Sequence, residues 1–116
     1  MLSGLVSKMH RRHKNRTLRE QSLYSGDSHV IEVESKTLNH FCDEQNLSEV
    51  DLLLIDVEGA EVSIIRSIDF ERVKINIICI ERNFSSRYVL QRLSKSGFMR
   101  LLKVGSDDIY IHKRLI

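Results

Sequence analysis

With 116 residues, 41% of them hydrophobic and 29% charged, the chain has room for one small domain, stable only if most of its apolar segments find neighbours. That composition excludes a disordered chain, and no apolar run approaches the ~20 residues that a transmembrane segment needs. The net charge of +2 hides an uneven distribution: Lys8, Arg11, Arg12, Lys14, Arg16 and Arg19 all precede the first acid, Glu20, leaving 12 basic against 16 acidic residues beyond.

Residues 1–28 therefore read as a basic N-terminal arm, a solvated and partly helical lead segment. Met1 to Val6 is too short for a secretory signal and has its basic cluster behind it, where a signal has its charges first, so a cytoplasmic protein is expected. The cations have no aromatic residues among them for base stacking and match no nucleic-acid motif, which argues against a specific nucleic-acid reader. His10 and His13 would share a helix face, but two histidines without a third ligand make a poor metal claim.

Beyond the arm, Tyr24 to Ser28 reads as a turn, and His29 to Glu34 alternates as a half-buried strand does. Ser35 or Thr37 can cap a helix carrying Leu38, Phe41 and Cys42 at helical spacing and ending near Gln45. Val50 to Ile55 then places Leu52, Leu53, Leu54 and Ile55 in an unbroken apolar run. A strand apolar on both sides is expected to be buried on both faces, as a central parallel strand is. Asp56 ends it, Gly59 permits a close turn, and Val62, Ile65 and Ile68 mark a second helix. Ile75 to Ile80 repeats the apolar run and stops at Glu81-Arg82-Asn83. Tyr88, Leu90 and Leu93 follow at helical spacing, with Gly97 as the stop. Phe98 to Val104 and Ile109 to His112 flank Gly105-Ser106-Asp107-Asp108 and predict an antiparallel hairpin. The fold class is α/β. Cys42 and Cys79 are far apart and set in apolar patterns, as befits two reduced thiols in a packed core.

Ligands of open parallel sheets bind beyond the carboxyl ends of the strands. Two polar clusters fall at such ends here, Asp56-Val57-Glu58-Gly59-Ala60-Glu61 and Glu81-Arg82-Asn83. A purely structural role is open for the first, since carboxylates at this place also cap the following helix and favour its positive end.

The string Val50-Asp51-Leu52-Leu53-Leu54-Ile55-Asp56-Val57-Glu58-Gly59-Ala60-Glu61 resembles the fourth-strand segment of FkbM-type methyltransferases, commonly Ile-Asp-Leu-Leu-Lys-Ile-Asp-Val-Glu-Gly-x-Glu. Eleven of the twelve positions fit closely, and the departure is Leu54, where relatives usually carry lysine. Thr37-Leu38-Asn39 is similar to the family's Thr-Leu-Asp helix start, Ile80-Glu81 to the end of its fifth strand, and Gly97-Phe98 and Asp108-Ile109-Tyr110 to its closing hairpin. The likeness runs from about His29 to Lys113, with a faint extension to Ser3-Gly4-Leu5. It implies that residues 29–116 form the C-terminal half of a Rossmann-like class I methyltransferase fold, mostly parallel with a closing antiparallel hairpin.

The resemblance further implies methyl transfer from S-adenosylmethionine to an acceptor hydroxyl, on a small molecule or a glycan. Asp56 and Glu81 would be the catalytic pair, stabilising the sulfonium cation or taking the hydroxyl proton, with Asp56 also on the cofactor side. Glu58, Glu61 and Asn83 would shape the substrate rim. Asp56, Glu81 and Asn83 are also oxygen donors that would suit one Mg²⁺, a reading kept as the lesser one. The family's glycine-rich loop and ribose-holding acid have no counterpart here, so the cofactor site is expected to be incomplete. The edge of strand 51–56 is then expected to lie open to a missing N-terminal half or to self-association.

Two other classes fit parts of the pattern. One is a non-catalytic remnant or interaction module of the same fold. The other is a receiver-type domain with Asp56 as phosphoacceptor, disfavoured by the basic opening and by the Glu-Gly-x-Glu continuation.

Overall fold

The computed structural model describes residues 29–82 and 86–116. The basic arm with His10 and His13, and Asn83 at the second strand end, lie outside the described residues. Described are helix α1 (Leu38–Glu44), strand β1 (Glu49–Ile55), helix α2 (Glu61–Ser67), strand β2 (Lys74–Glu81), helix α3 (Ser86–Lys95), the hairpin of β3 (Phe98–Val104) and β4 (Asp107–His112), and a closing 3₁₀ turn (Lys113–Leu115).

The four strands form one sheet in the order β1-β2-β4-β3. β1 and β2 are parallel, joined through α2, whereas β2 with β4 and β4 with β3 pair antiparallel. The sheet is thus mixed rather than mostly parallel, because the returning strand β4 inserts between β2 and β3. Among the described residues β1 stands at one edge of the sheet, beside β2.

The register separates two faces. Leu53 and Ile55 align with Ile78 and Ile80, and Ile78 aligns in turn with Tyr110. Ile55, Ile78, Ile80 and Tyr110 are buried in a cluster with Cys42 of α1, Ile65 of α2 and Val89 and Leu93 of α3. Leu52 and Leu54 align with Ile77 and Cys79 on the other face, where they are 58% and 67% exposed. The expectation that β1 is buried on both faces therefore fails: among the described residues only one face is covered. Phe41 and Leu90, two of the apolar positions that mark α1 and α3, are exposed, whereas Val89 is buried. Cys42 is buried and Cys79 half-buried on the uncovered face, both as free thiols.

The strand expected at His29 to Glu34 does not form. The segment is irregular, with Val30, Ile31 and Val33 exposed, because alternation supplies a face but not the ladder partner that a strand needs.

Local chemistry explains the element ends. The Thr37 hydroxyl caps α1 by accepting from the His40 amide. Gly97 closes α3 at φ +91°, and a Cβ there would sit 2.7 Å from the His112 ring, so side-chain-free backbone is needed for both reasons. Asn39, the polar neighbour of this packing, is buried and bonds the Asp69 backbone twice. Its Nδ2 donates to the Asp69 carbonyl (3.0 Å) and its Oδ1 accepts from the Asp69 amide (2.8 Å). This ties α1 to the turn between α2 and β2. The Arg92 guanidinium reaches the same connection, donating to the Ile68 carbonyl and lying over the Phe70 ring.

Two predictions follow from these contacts. Asn39→Ala leaves the part-buried Asp69 amide and carbonyl without this partner and is expected to cost about 1–2 kcal/mol in chemical denaturation; a loss under about 0.5 kcal/mol would remove this tie from the account. His112 accepts the Arg114 amide at Nδ1, packs edge-on to Phe98, and is pushed below its usual pKa of 6.5 by burial and then by the Arg114 charge, against an opposing backbone hydrogen bond at Ser96. The unfolded chain then takes up this proton first, so stability present above about pH 6.5 is lost as pH falls below it. Melting temperatures of wild type and His112→Gln between about pH 7.5 and about pH 5 should diverge, with the flatter profile in the variant; parallel profiles would contradict this.

Candidate active site

The parallel pairing of β1 and β2 ends with Ile55 opposite Ile80. The next residues, Asp56 and Glu81, therefore stand at one level on neighbouring strand ends, Asp56 exposed and Glu81 half-buried. These two expected site residues are brought to the same rim.

The loop after β1 is shaped by backbone that few residues adopt: Glu58 has φ +51° and Gly59 φ +110°. Left-handed backbone at a non-glycine residue costs of order 1 kcal/mol or more and persists only where its surroundings hold it. Glu61 supplies part of that hold. It is buried, 3% exposed, at the first position of α2, and its Oε1 accepts from the Gly59 amide at 3.1 Å. The carboxylate also meets the positive end of α2. Glu58 is half-buried between Asp56 and Gly59. At the opposite end of the strands, Asp51 and Glu49 both accept from the Asn76 amide, which clamps β1 to β2 away from the rim.

Glu81 pairs across the ladder with Asp107 of β4, and Asp107 is half-buried on the face that carries Cys79 and Ile109. Burial, and then the charge of Asp107, push the Cys79 thiol up, so it stays protonated and is no nucleophile at neutral pH. Two carboxylate-bearing strand ends thus border Asp56 on the uncovered side of the sheet. Among the described residues no three His, Cys, Asp or Glu side chains gather closely enough to hold a metal ion.

On the helix-covered side, the same rim is cationic, which the sequence did not announce. A cleft of about 310 Å³ is lined by Arg82, Arg87, Leu90, Arg100, Lys103 and Asp108. Asp108 lies at its base, 1% exposed, 3.3 Å from Arg82 Nε and 3.6 Å from Arg100 Nη1. Arg82 also donates from Nη2 to the Gly105 carbonyl at 2.7 Å. Burial, and then the Asp108 charge, push the neighbouring Tyr110 hydroxyl up. Glu81-Arg82-Asn83 was visible as a polar cluster, but nothing in the residue order joins Arg82 to Arg100, Lys103 and Asp108.

No described helix is long and apolar enough to cross a membrane. Comparison with curated proteins and with solved structures gives no match. A family model does match: the methyltransferase FkbM domain, over residues 3–103. The match begins within the stretch read as a basic arm and ends in β3, and it covers the whole Asp51 to Glu61 string and the strand ends at Asp56 and Glu81. It assigns methyltransferase chemistry in general. The chain belongs to the methyltransferase FkbM domain family.

Proposed function

We propose that this chain forms part of an S-adenosylmethionine-dependent O-methyltransferase of Rossmann-like architecture, acting on a hydroxyl of a small molecule or glycan. The observation that carries the reading is the level placement of Asp56 and Glu81 at adjacent parallel strand ends, inside the matched family segment. The donor chemistry fits the methyl-transfer end of the site: carboxylates offset a nearby positive charge and can accept a hydroxyl proton. S-adenosylmethionine supplies an activated methyl group on a sulfonium when bound. In this reading Asp56 faces the donor side, and Glu81 orients the acceptor hydroxyl and takes its proton, with positioning contributing much of the rate. Glu58 and Asn83 border the acceptor, while Glu61 fixes the loop that carries Asp56.

Irradiation of the chain with methyl-labelled S-adenosylmethionine, followed by peptide mapping, tests this. Label is expected on peptides containing 55–61 or 80–82, and Asp56→Asn should cut it several-fold. Absence of label at about millimolar cofactor, the weak-binding range, or label that ignores Asp56→Asn, would count against the reading.

We further propose that the chain associates through β1, with a second copy or with a complementary half-domain. Support comes from its edge, which no described strand pairs, beside exposed Leu52 and Leu54. Sedimentation velocity should show species heavier than a monomer, reduced by Leu54→Lys. A monodisperse wild-type monomer would dispose of self-association.

A further inference from the structure

The cleft beside Asp108 is built by a device that residue spacing conceals. In a regular strand, residues three apart point to opposite faces. Arg100 and Lys103 nevertheless lie opposite Tyr110 and Asp108 respectively, and those two, being two apart on β4, share one face. The register shift between Arg100 and Leu102 inserts the extra residue that brings both cations to the same side. Leu102 and Met99 meanwhile align with Ile109 and Ile111 on the uncovered face.

Arg82 enters the cleft from the end of β2, held by its backbone amide on the Ser106 carbonyl as well as by its side-chain contacts. Arg87 and Leu90 enter from α3, one turn apart on one helix face. Four cationic side chains therefore surround one buried carboxylate, and Arg87 and Lys103 have no ion-pair partner among the described residues. Asp108 cannot neutralise the group. One of its oxygens, Oδ1, is buried without a hydrogen bond, and its contact with Arg82 is a charge contact alone. Its place beneath the guanidinium groups instead holds Arg82 and Arg100 in a fixed arrangement, with donors left over.

Like charges are not gathered in a concave site without cost unless something of opposite sign occupies it. Guanidinium pairs recognise tetrahedral oxyanions by paired, directional hydrogen bonds, and low-dielectric walls strengthen the attraction. A cleft of about 310 Å³ is at the small end of ligand pockets, enough for a phosphate or sulfate group with part of the molecule that bears it. Arg82 directly follows Glu81, so an anion seated here places the rest of its molecule along the rim of the methyl-transfer site.

We infer that the Arg82, Arg87, Arg100 and Lys103 cleft binds a tetrahedral oxyanion, phosphate or sulfate, and that this anion is borne by the methyl acceptor. The second half of the inference rests on the proposed function; the first does not, and the experiment separates them. Binding of inorganic phosphate and of glucose 6-phosphate is measured by calorimetry on the whole chain at low salt, without S-adenosylmethionine. Arg100→Gln/Lys103→Gln is compared with Lys95→Gln/Lys113→Gln, which removes the same charge from exposed sites outside the cleft.

Phosphate binding that weakens with salt, and that falls at least about tenfold in the cleft variant but little in the control, supports the anion site. Equal losses in both variants reduce it to general charge attraction and overturn it, as does no binding to wild type. Tighter binding of the sugar phosphate than of phosphate supports an anionic acceptor. Equal affinity for the two overturns that half and leaves the anion site standing. Failure of cofactor labelling at Asp56 touches neither phosphate result.

Discussion

The parallel ladder between β1 and β2 is the constraint on which the rest of the molecule depends. Its register puts Ile55 beside Ile80, and with that alignment it fixes which residue of each strand is the last before the rim. A slip of one residue would send Ile78 and Ile80 to the uncovered face and bring half-buried Ile77 and Cys79 under the helices. The apolar contrast between the two sides is large enough to forbid this, since Ile78 is wholly buried while its counterpart one residue away is not. The site is therefore positioned by packing. Asp56 and Glu81 are neighbours because the isoleucines beneath them cannot be elsewhere.

Much of this was legible in the sequence because the signals were local. The apolar runs ending in Asp56 and Glu81, the Thr37 cap, Gly97 as a helix stop and the hairpin around Gly105 all depend on residues within a few positions of one another. The errors arose where the decisive partner was distant. His29 to Glu34 has strand alternation, but alternation cannot supply a neighbouring chain. Leu52 to Ile55 is apolar on both sides, which describes the environment suited to the strand; among the described residues, Leu52 and Leu54 have no cover. The Asn39 to Asp69 tie spans thirty positions and carries no periodic mark.

The arrangement of charge around the rim was the least legible feature. Residue order shows Arg100 and Lys103 three apart in a strand and so assigns them to opposite faces. Only the bulge reverses that assignment, and a bulge in a stretch such as Met99-Arg100-Leu101-Leu102 has no glycine to betray it. Asp108 was likewise visible as a hairpin residue, but its burial beneath two arginines follows from β4 running between β2 and β3.

That same insertion of β4 organises the rim into two chemical sides. Successive residues of β4 face opposite ways, so Asp107 joins Glu81 on the uncovered side while Asp108 goes under the helices with Arg82 and Arg100. One dipeptide thus contributes a carboxylate to each side, one in an acidic neighbourhood suited to a cationic donor and one holding guanidinium groups suited to an anion. A methyl transfer from a sulfonium to the hydroxyl of an anionic acceptor brings together two molecules of opposite charge. In the proposed reaction, a rim whose two faces carry opposite charge would separate their binding places, while the edge between them, at Glu81 and Arg82, is a single peptide bond wide.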